Sequence, residues 1–168
     1  MRDAGTMTTV MRASVLDLFR GYYSEQQIAS ASVHIAHVDP MLVGDGTYFV
    51  VEADEEIVAC GGWSRRGRLY TGSGDQADDA RLLDPATEPA HVRAMFVRPD
   101  WTRRGLGRAI LEAGRSAAKA EGFQRLDLMA TLAGVPLYQS FGFVEGEHAI
   151  LTMPDGVTIE AVAMERDI

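Results

Sequence analysis

Cysteine is almost absent from the sequence: one occurs among 168 residues, so no disulfide can form within the chain and a reducing compartment is expected. Cys60 lies in an apolar run and is expected to be a small buried side chain rather than a nucleophile. No uncharged stretch is long enough to cross a membrane, and the N-terminus lacks the basic-then-apolar pattern of a secretion signal. These absences predict a soluble cytoplasmic protein without a membrane partner.

Positive charge is outnumbered, with 16 Lys and Arg against 24 Asp and Glu and a formal net charge of −8. This balance argues against nucleic acid as the main partner and would suit a cationic acceptor such as an amine. At 168 residues and 46% hydrophobic content, residues 1–168 are predicted to form a single domain with a sizeable core. The sequence contains no internal repeat, linker or low-complexity segment.

The most informative segment is a strand, a glycine-containing turn and a helix in succession. Val92 to Val97 is rich in apolar residues and is followed by Pro99, which predicts the end of a strand. Gly105 and Gly107 permit a tight turn and a close approach of the backbone to a ligand. From Leu106 onward a three-four spacing predicts an amphipathic helix, with apolar residues at 106, 109, 110, 113, 117 and 120.

The arginines of this turn predict an anion site. The first N–H groups of a helix have no partner within it and favour a negatively charged ligand, usually phosphate. Arg103, Arg104 and Arg108 add positive charge at this place in a chain that is acidic overall. A glycine pair beside arginines also occurs in many ordinary loops, so the interpretation depends on the flanking strand and helix.

This succession resembles the acyl-coenzyme A pyrophosphate loop of the GCN5-related N-acetyltransferases (GNAT), whose pattern is Gln/Arg-x-x-Gly-x-Gly/Ala. Gly105 and Gly107 match its two last positions, whereas Thr102 stands at the first. The stretch 135–143 resembles a later motif of the family, a short helix that carries a tyrosine and ends in Gly-Phe. Pro136 suits the first turn of that helix, and Gly142 suits its end. The resemblance extends from about Thr47 to Met164.

The resemblance and the local patterns together predict an α/β fold, with α and β elements around one central mixed sheet flanked by helices. The parallel pair is predicted to be 91–97 and 124–132, because a long helix joins them. In the family a first strand usually precedes the first helix, and the residues before Thr9 are too few and too polar to form one. The other predicted elements are helices over 9–23 and from the Ser24 cap to about 37, a hairpin over 47–53 and 56–63, and a closing hairpin over 149–153 and 157–164. The glycines at 61–62 predict either a bulge or a place where another group comes close. Residues 64–89 are predicted to form a long irregular loop or, alternatively, to contain a short strand at 69–70 and a helical turn at 80–83.

The family resemblance also implies a cofactor site. In that family two parallel strands splay apart, and the pantetheine arm of the coenzyme lies between them as if it were an extra strand. The backbone of Met95, Phe96 and Val97 would then contact pantetheine. The pyrophosphate would be held by the turn and helix start, that is by Thr102, Arg103, Arg104, Gly105, Leu106, Gly107 and Arg108.

The predicted catalytic residues are Tyr138 and His91. The tyrosine of the later motif lies near the sulfur in the family, so Tyr138 is the candidate acid for the departing thiolate; the alternative is an ordinary core aromatic. His91 stands eleven residues before Thr102, where histone-acetylating members carry a glutamate base, and it could deprotonate the amine. Glu88 or a water chain is the alternative base. His34 and His37 are expected at the surface, and no metal site is predicted.

The resemblance therefore implies an acyl-CoA-dependent N-acetyltransferase that uses acetyl-CoA as cosubstrate and transfers acetyl directly to a primary amine of a small molecule or protein. The alternative is a domain of the same fold that binds coenzyme A, senses it and catalyses nothing. A Rossmann-type nucleotide enzyme is disfavoured because the turn lacks a third glycine at the required spacing. Family habit also suggests a homodimer.

Overall fold

The computed structural model describes residues 4–68 and 80–168. The predicted short strand at 69–70 lies outside these residues. The helices are α1 (Ala4–Leu18), α2 (Glu25–His34), α3 (Pro40–Gly44), α4 (Leu106–Ala120) and α5 (Val135–Ser140), with a 3₁₀ turn at Pro99–Trp101. The strands are β1 (Tyr48–Ala53), β2 (Glu56–Ser64), β3 (Ala90–Val97), β4 (Arg125–Thr131), β5 (Val144–Thr152) and β6 (Thr158–Asp167).

The six strands form one mixed sheet in the order β1-β2-β3-β4-β6-β5. Strands β3 and β4 are parallel, as the intervening long helix predicts, and the other neighbouring pairs are antiparallel. Helices α1 and α2 contribute to one buried apolar cluster, and α4 and α5 contribute to the other. The predicted mixed sheet with flanking helices is confirmed.

The first hairpin forms as predicted. Strands β1 and β2 pair antiparallel, and the two residues between them, Asp54 and Glu55, both have positive φ (52° and 64°). Two left-handed residues give the hairpin turn whose twist matches that of the strands. The register of β2 against β3 shifts between Cys60 and Gly62, but two steps of β2 face three steps of β3 there, so the extra residue belongs to β3. The bulge predicted at 61–62 of β2 therefore lies on the neighbouring strand.

Several predicted helix boundaries are wrong. Helix α1 begins at Ala4 rather than Thr9 and ends at Leu18 rather than Tyr23, and the chain then turns at Gly21 (φ +85°). The Ser24 capping box of α2 is confirmed. Helix α3 was not predicted, although it carries an Asp39 cap and a proline in its first turn.

The helical turn predicted at 80–83 is wrong. Leu82 instead forms an isolated antiparallel bridge with Arg66, and the Leu83 N–H donates to the Arg65 carbonyl (2.8 Å). The backbone here adds to the end of β2, because pairing with an existing strand satisfies its polar groups better than one isolated helical turn.

The closing hairpin is longer than predicted, since β5 begins at Val144 rather than Ala149 and β6 ends at Asp167 rather than Met164. Most of β5 is exposed, so its sequence lacks the apolar alternation that reveals a strand. Within the described part of the chain, which begins at Ala4, no strand precedes α1.

Candidate active site

Strands β3 and β4 pair only where they begin. Their register contains two pairs, Ala90 with Leu126 and His91 with Asp127, and beyond these the strands part. The later half of β3 pairs with β2 on one side, and its opposite edge has no partner strand. The N–H and C=O groups on this edge are therefore available to a ligand.

A bulge in β3 accompanies the parting. Ala94 has φ +54°, which a residue with a side chain adopts rarely, and it lies at the shift in register with β2. The facing residues of β2 are glycines: a Cβ at Gly61 would collide with the Met95 side chain, and one at Gly62 would collide with the Thr47 carbonyl oxygen. The Tyr48 hydroxyl donates to the Ala94 carbonyl (3.1 Å), so a residue of β1 stabilises the bulge two strands away.

The turn before α4 presents a row of N–H groups. Gly105 has φ +79°, and the first N–H with an acceptor in the helix is that of Ala109, which donates to the Gly105 carbonyl (2.9 Å). Among the described residues, the N–H groups from 103 to 108 have no hydrogen-bond acceptor. Together with the positive end of the helix dipole, these N–H groups are suited to an anionic ligand.

The side chains of the turn differ in what they contact. Arg104 lies over the Trp101 ring (4.4 Å), whereas Arg108 donates to the Ser140 carbonyl at the end of α5 (3.3 Å). Arg103 is exposed and has φ +59°. The hydroxyl of Thr102 donates to the Pro99 carbonyl (3.0 Å), so it closes the preceding turn.

Tyr138 lies on α5 and is buried, with its ring edge against Phe143 (centroids 5.8 Å apart). Its hydroxyl has no hydrogen-bond partner among the described residues, and burial raises its pKa above the ordinary value. Helix α5 ends as predicted: Gly142 has φ +95°, and the Phe143 N–H donates back to the Tyr138 carbonyl (3.0 Å).

A cleft of about 830 Å³ joins these parts. It contains the open edge of β3, the turn before α4 and Tyr138. The predicted site residues that line it are Met95, Phe96, Val97, Thr102, Arg103, Gly105, Leu106, Gly107, Arg108 and Tyr138, while Arg104 and His91 do not. The volume is that of a pocket for a cofactor-sized ligand.

His91 lies at the paired start of β3, where its Nδ1 is hydrogen-bonded to the Asp127 carboxylate. The imidazole is almost fully buried. Glu88, the alternative base, is held by Arg81 (2.8 Å), and this ion pair with the Asp84 N–H lowers its pKa to about 2. Neither side chain lines the cleft.

Sequence reasoning missed another part of the cleft. Its lining comes from α1, the turn after it, the segment after α2, and β5, and the residues are Ser14, Leu18, Phe19, Tyr22, Ile35 and Leu151. These residues are distant in sequence and belong to no motif, so only the fold brings them together.

A sequence profile described as the acetyltransferase (GNAT) domain matches residues 44–145, which is more than half of the chain. The chain belongs to the GNAT family. The match includes β1 to β4, the glycine turn and Tyr138. Comparison with curated protein sequences gives no match.

Solved GNAT structures share the fold of the whole chain. A GCN5-related N-acetyltransferase from Rhodopseudomonas palustris aligns with TM-score 0.75 and 17% identity, covering 99% of this chain and 91% of its own. The PaiA N-acetyltransferase from Thermoplasma acidophilum, in complex with coenzyme A, aligns with TM-score 0.67 and 15% identity, covering 99% of this chain and 94% of its own. A phosphinothricin acetyltransferase from Sinorhizobium meliloti, in complex with AcCoA, aligns with TM-score 0.62 and 18% identity, covering 99% of this chain and 84% of its own.

The cleft fits a coenzyme A thioester by its donor groups. The free N–H groups at 103–108 suit a pyrophosphate, and the open edge of β3 suits the amide groups of an extended arm. The described residues contain no group of three or more side chains that could hold a metal ion. No helix among them is long and apolar enough to span a membrane.

Proposed function

We propose that the protein is an acetyl-CoA-dependent N-acetyltransferase that transfers acetyl directly to a primary amine of a small molecule or protein. The observation that carries this proposal is the single cleft in which an anion-binding turn, an open strand edge and a buried tyrosine occur together. A fold of this kind hosts many functions, so the proposal rests on the site and not on the fold alone.

Binding of the cosubstrate would depend mainly on the backbone. The N–H groups of Arg103 to Arg108 would hold the pyrophosphate, and the edge of Met95 to Val97 would pair with the pantetheine amides. Thr102 would contribute through its backbone position, since its hydroxyl already donates to Pro99. Arg104 lies outside the cleft lining and would act through its charge.

Acetyl-CoA supplies an acetyl group activated as a thioester. The N–H groups on the open edge of β3 can donate to a carbonyl oxygen that gains negative charge during acyl transfer. Tyr138 keeps its proton throughout the neutral range, because burial raises its pKa, and can give that proton to a thiolate. The apolar walls exclude water, which would otherwise hydrolyse the thioester.

The proposal is tested first by thermal unfolding with acetyl-CoA, coenzyme A and NAD. At a ligand concentration about a hundredfold above its Kd, we expect stabilisation of about 2.7 kcal/mol, which raises the Tm by several degrees. Both coenzyme A forms should raise it and NAD should not. The absence of any shift with acetyl-CoA would contradict the proposal.

Release of free coenzyme A on addition of amines then separates an enzyme from a domain that only senses the coenzyme. We expect release that depends on both acetyl-CoA and amine, with a matching increase of 42 Da in the amine, the mass of a transferred acetyl group. Arg115→Ala is a suitable control variant, because Arg115 pairs with Glu112 on α4 and does not line the cleft.

A further inference from the structure

One part of the cleft lining lies outside the anion-binding turn and the open edge of β3, and it is mostly apolar. We call it the acceptor end and define it by Ser14, Leu18, Phe19, Tyr22, Ile35 and Leu151. Phe19 is buried, Leu18 and Ile35 are half-buried, and the Tyr22 ring is exposed. A substrate that enters here would place an apolar group against these side chains.

Ser14 is the polar exception. The residue is only 5% exposed, and among the described residues its hydroxyl has no hydrogen-bond partner. Ser14 Oγ is not one of the enclosed side-chain atoms that lack a hydrogen-bond partner, so it is open to a ligand or a water in the cleft. Because Ser14 lines the cleft, its oxygen can accept a hydrogen bond from an amine there.

No carboxylate and no imidazole line the cleft among the described residues. The titratable and charged side chains that line it are Arg93, Arg103, Arg108, Tyr22 and Tyr138. The Arg93 guanidinium is paired with the buried Asp39 (2.9 Å), outside the lining. Arg103 and Arg108 belong to the turn proposed to hold the pyrophosphate, so an incoming ammonium group would meet mainly apolar surface, and no side chain of the described lining would take its proton.

An amine must therefore lose its proton to water before it binds, which favours amines of low basicity. The ordinary pKa of an α-amino group is about 7.7–8.0, and that of a lysine side chain is about 10.4. At pH 7.5 the neutral fraction of the α-amine is accordingly more than about a hundredfold larger.

We propose that the acceptor is a weakly basic primary amine attached to an apolar group, either the α-amine of a peptide that begins with leucine or phenylalanine or an aromatic amine. This inference rests on the proposed acetyltransferase function. The neutral nitrogen forms a C–N bond to the acetyl carbon as the C–S bond breaks. Tyr138 protonates the leaving sulfur, the nitrogen loses one proton to water, and the phenol regains its proton from water.

The decisive experiment is competition within one peptide. A peptide that begins with leucine and carries one internal lysine is incubated with the protein and acetyl-CoA, and tandem mass spectrometry assigns the acetylated nitrogen. At pH 7.5 we expect α-acetylation to exceed lysine acetylation by about a hundredfold, and the ratio should fall to a few by pH 10 as the lysine loses its proton. A ratio that does not change with pH, or a preference for lysine, would overturn the proposal.

A second pair of measurements tests whether the acceptor carries an apolar group, and whether the acceptor is a peptide or a small molecule. The same peptide beginning with glutamate should react at least about tenfold more slowly in kcat/KM, because its carboxylate would lose hydration at the acceptor end. An aromatic amine such as p-toluidine is assayed in parallel, and its rate relative to the leucine peptide distinguishes a small-molecule source from a peptide source. Equal rates for the glutamate and leucine peptides would contradict the apolar assignment.

The acceptor end is tested with two variants of one helix. Leu18→Glu places a carboxylate in the cleft and should reduce the preference for the α-amine at pH 7.5 by about tenfold or more, since it can pair with an ammonium group. Leu16→Glu is the matched control, because Leu16 is exposed and does not line the cleft. Equal selectivity in both variants would overturn the assignment of Leu18 to the acceptor end.

The two proposals fail differently. Acetyl transfer to strongly basic amines, with no preference for weakly basic ones, leaves the acetyltransferase intact and overturns only the acceptor class. No transfer to any amine of either series, with or without a Tm shift from acetyl-CoA, overturns both.

Discussion

Tyr138 keeps its proton because α5 buries it between the cleft and Phe143. Burial disfavours the charged phenolate, so the pKa of Tyr138 is raised and the side chain remains a donor at neutral pH. The burial that makes Tyr138 resemble a core aromatic also keeps it protonated until a thiolate is formed beside it. A Tyr138→Phe variant, which removes only the hydroxyl oxygen, distinguishes the role of acid from core packing.

We expect Tyr138→Phe to lower kcat by about a hundredfold or more, because a positioned acid contributes that much, while the ring continues to fill the same space. The Tm shift that acetyl-CoA produces should remain. Steady-state kinetics and thermal unfolding measure the two effects. A kcat within about threefold of the unaltered protein would show that another group, or water, supplies the proton.

His91 differs from Tyr138 because its imidazole is occupied. It contacts Asp127 at the point where β3 and β4 pair, and it lies outside the cleft lining. The next two residues of β3, Val92 and Arg93, line the cleft, whereas the His91 side chain does not. The role of base that the resemblance implied for His91 remains a prediction, which its pH profile can decide.

We expect His91→Asn to lower stability by about 1–3 kcal/mol, because the partner carboxylate loses a buried hydrogen bond. The Tm should fall by about 2–4 °C per kcal/mol, and the pH dependence of kcat/KM should keep its shape. Asp127→Asn is the matched variant with the same expected result. Loss of the acidic limb of the pH profile in a well-folded His91→Asn protein would restore the role of base.

At the scale of elements, α5, which carries Tyr138, contacts the start of α4. Gly107 makes this contact possible, since a Cβ there would lie 2.9 Å from Leu137 Cδ2. Arg108 also joins the two helices, through its hydrogen bond to Ser140. The anion-binding turn and the candidate acid are thus held together by direct contact.

Alanine substitutions at the two glycines of α4, Gly107 and Gly114, test the importance of this contact, because only Gly107 lies against α5. Gly114→Ala adds a methyl group at ordinary distance from Trp63 (3.8 Å) and should stabilise the helix by about 1 kcal/mol. Gly107→Ala should not stabilise it, because Leu137 must move, and kcat should fall with the displacement of Tyr138. Thermal unfolding and kinetics of both variants are the measurement. Equal kinetics for the two variants would contradict the dependence of Tyr138 on Gly107.

The elements that could be predicted from the sequence are those with a local signal in it. The first hairpin, the Ser24 cap and the long helix α4 each carry a turn residue, a cap or a periodic apolar face, and all three are present. Strand β5 carries none, because it is largely exposed. The acceptor end also escaped prediction, since its residues meet only after α1 and β5 pack beside the cleft.

Over the whole molecule, the charge is acidic while the charged side chains of the cleft are arginines. Several surface carboxylates are stabilised by particular partners, and each of these has a lowered pKa. The Arg66 guanidinium lowers the pKa of Asp45, Arg98 lowers that of Asp100, and the Ser30 hydroxyl lowers that of Asp155.

These shifts predict how stability depends on acid. A carboxyl group whose pKa is lower in the folded state stabilises the fold above its ordinary pKa, and this contribution disappears as the pH falls through the folded value. We expect the Tm to be nearly constant from pH 7 to about pH 5 and to fall from about pH 4.5 towards pH 2. The pKa of Glu88 is lowered to about 2, so its contribution is lost at the acidic end of this range. The Glu88→Gln variant should therefore show a smaller fall in Tm between about pH 4.5 and pH 2. A fall centred on pH 6 would instead indicate a histidine.

The open edge of β3 also bears on aggregation. An unpaired strand edge invites strands of other molecules, and sheet edges are commonly protected by charges, proline or bulges. Residues 94–97 are apolar, with Arg93 and Arg98 at either side, but this edge faces β4 inside the sheet and not the outer rim. A strand with side chains on both faces would have to separate β3 from β4, whereas a thin unbranched chain would not. Because β4 lies beyond this edge in the sheet order, we expect a strand of another molecule to reach it less readily than an edge at the outer rim.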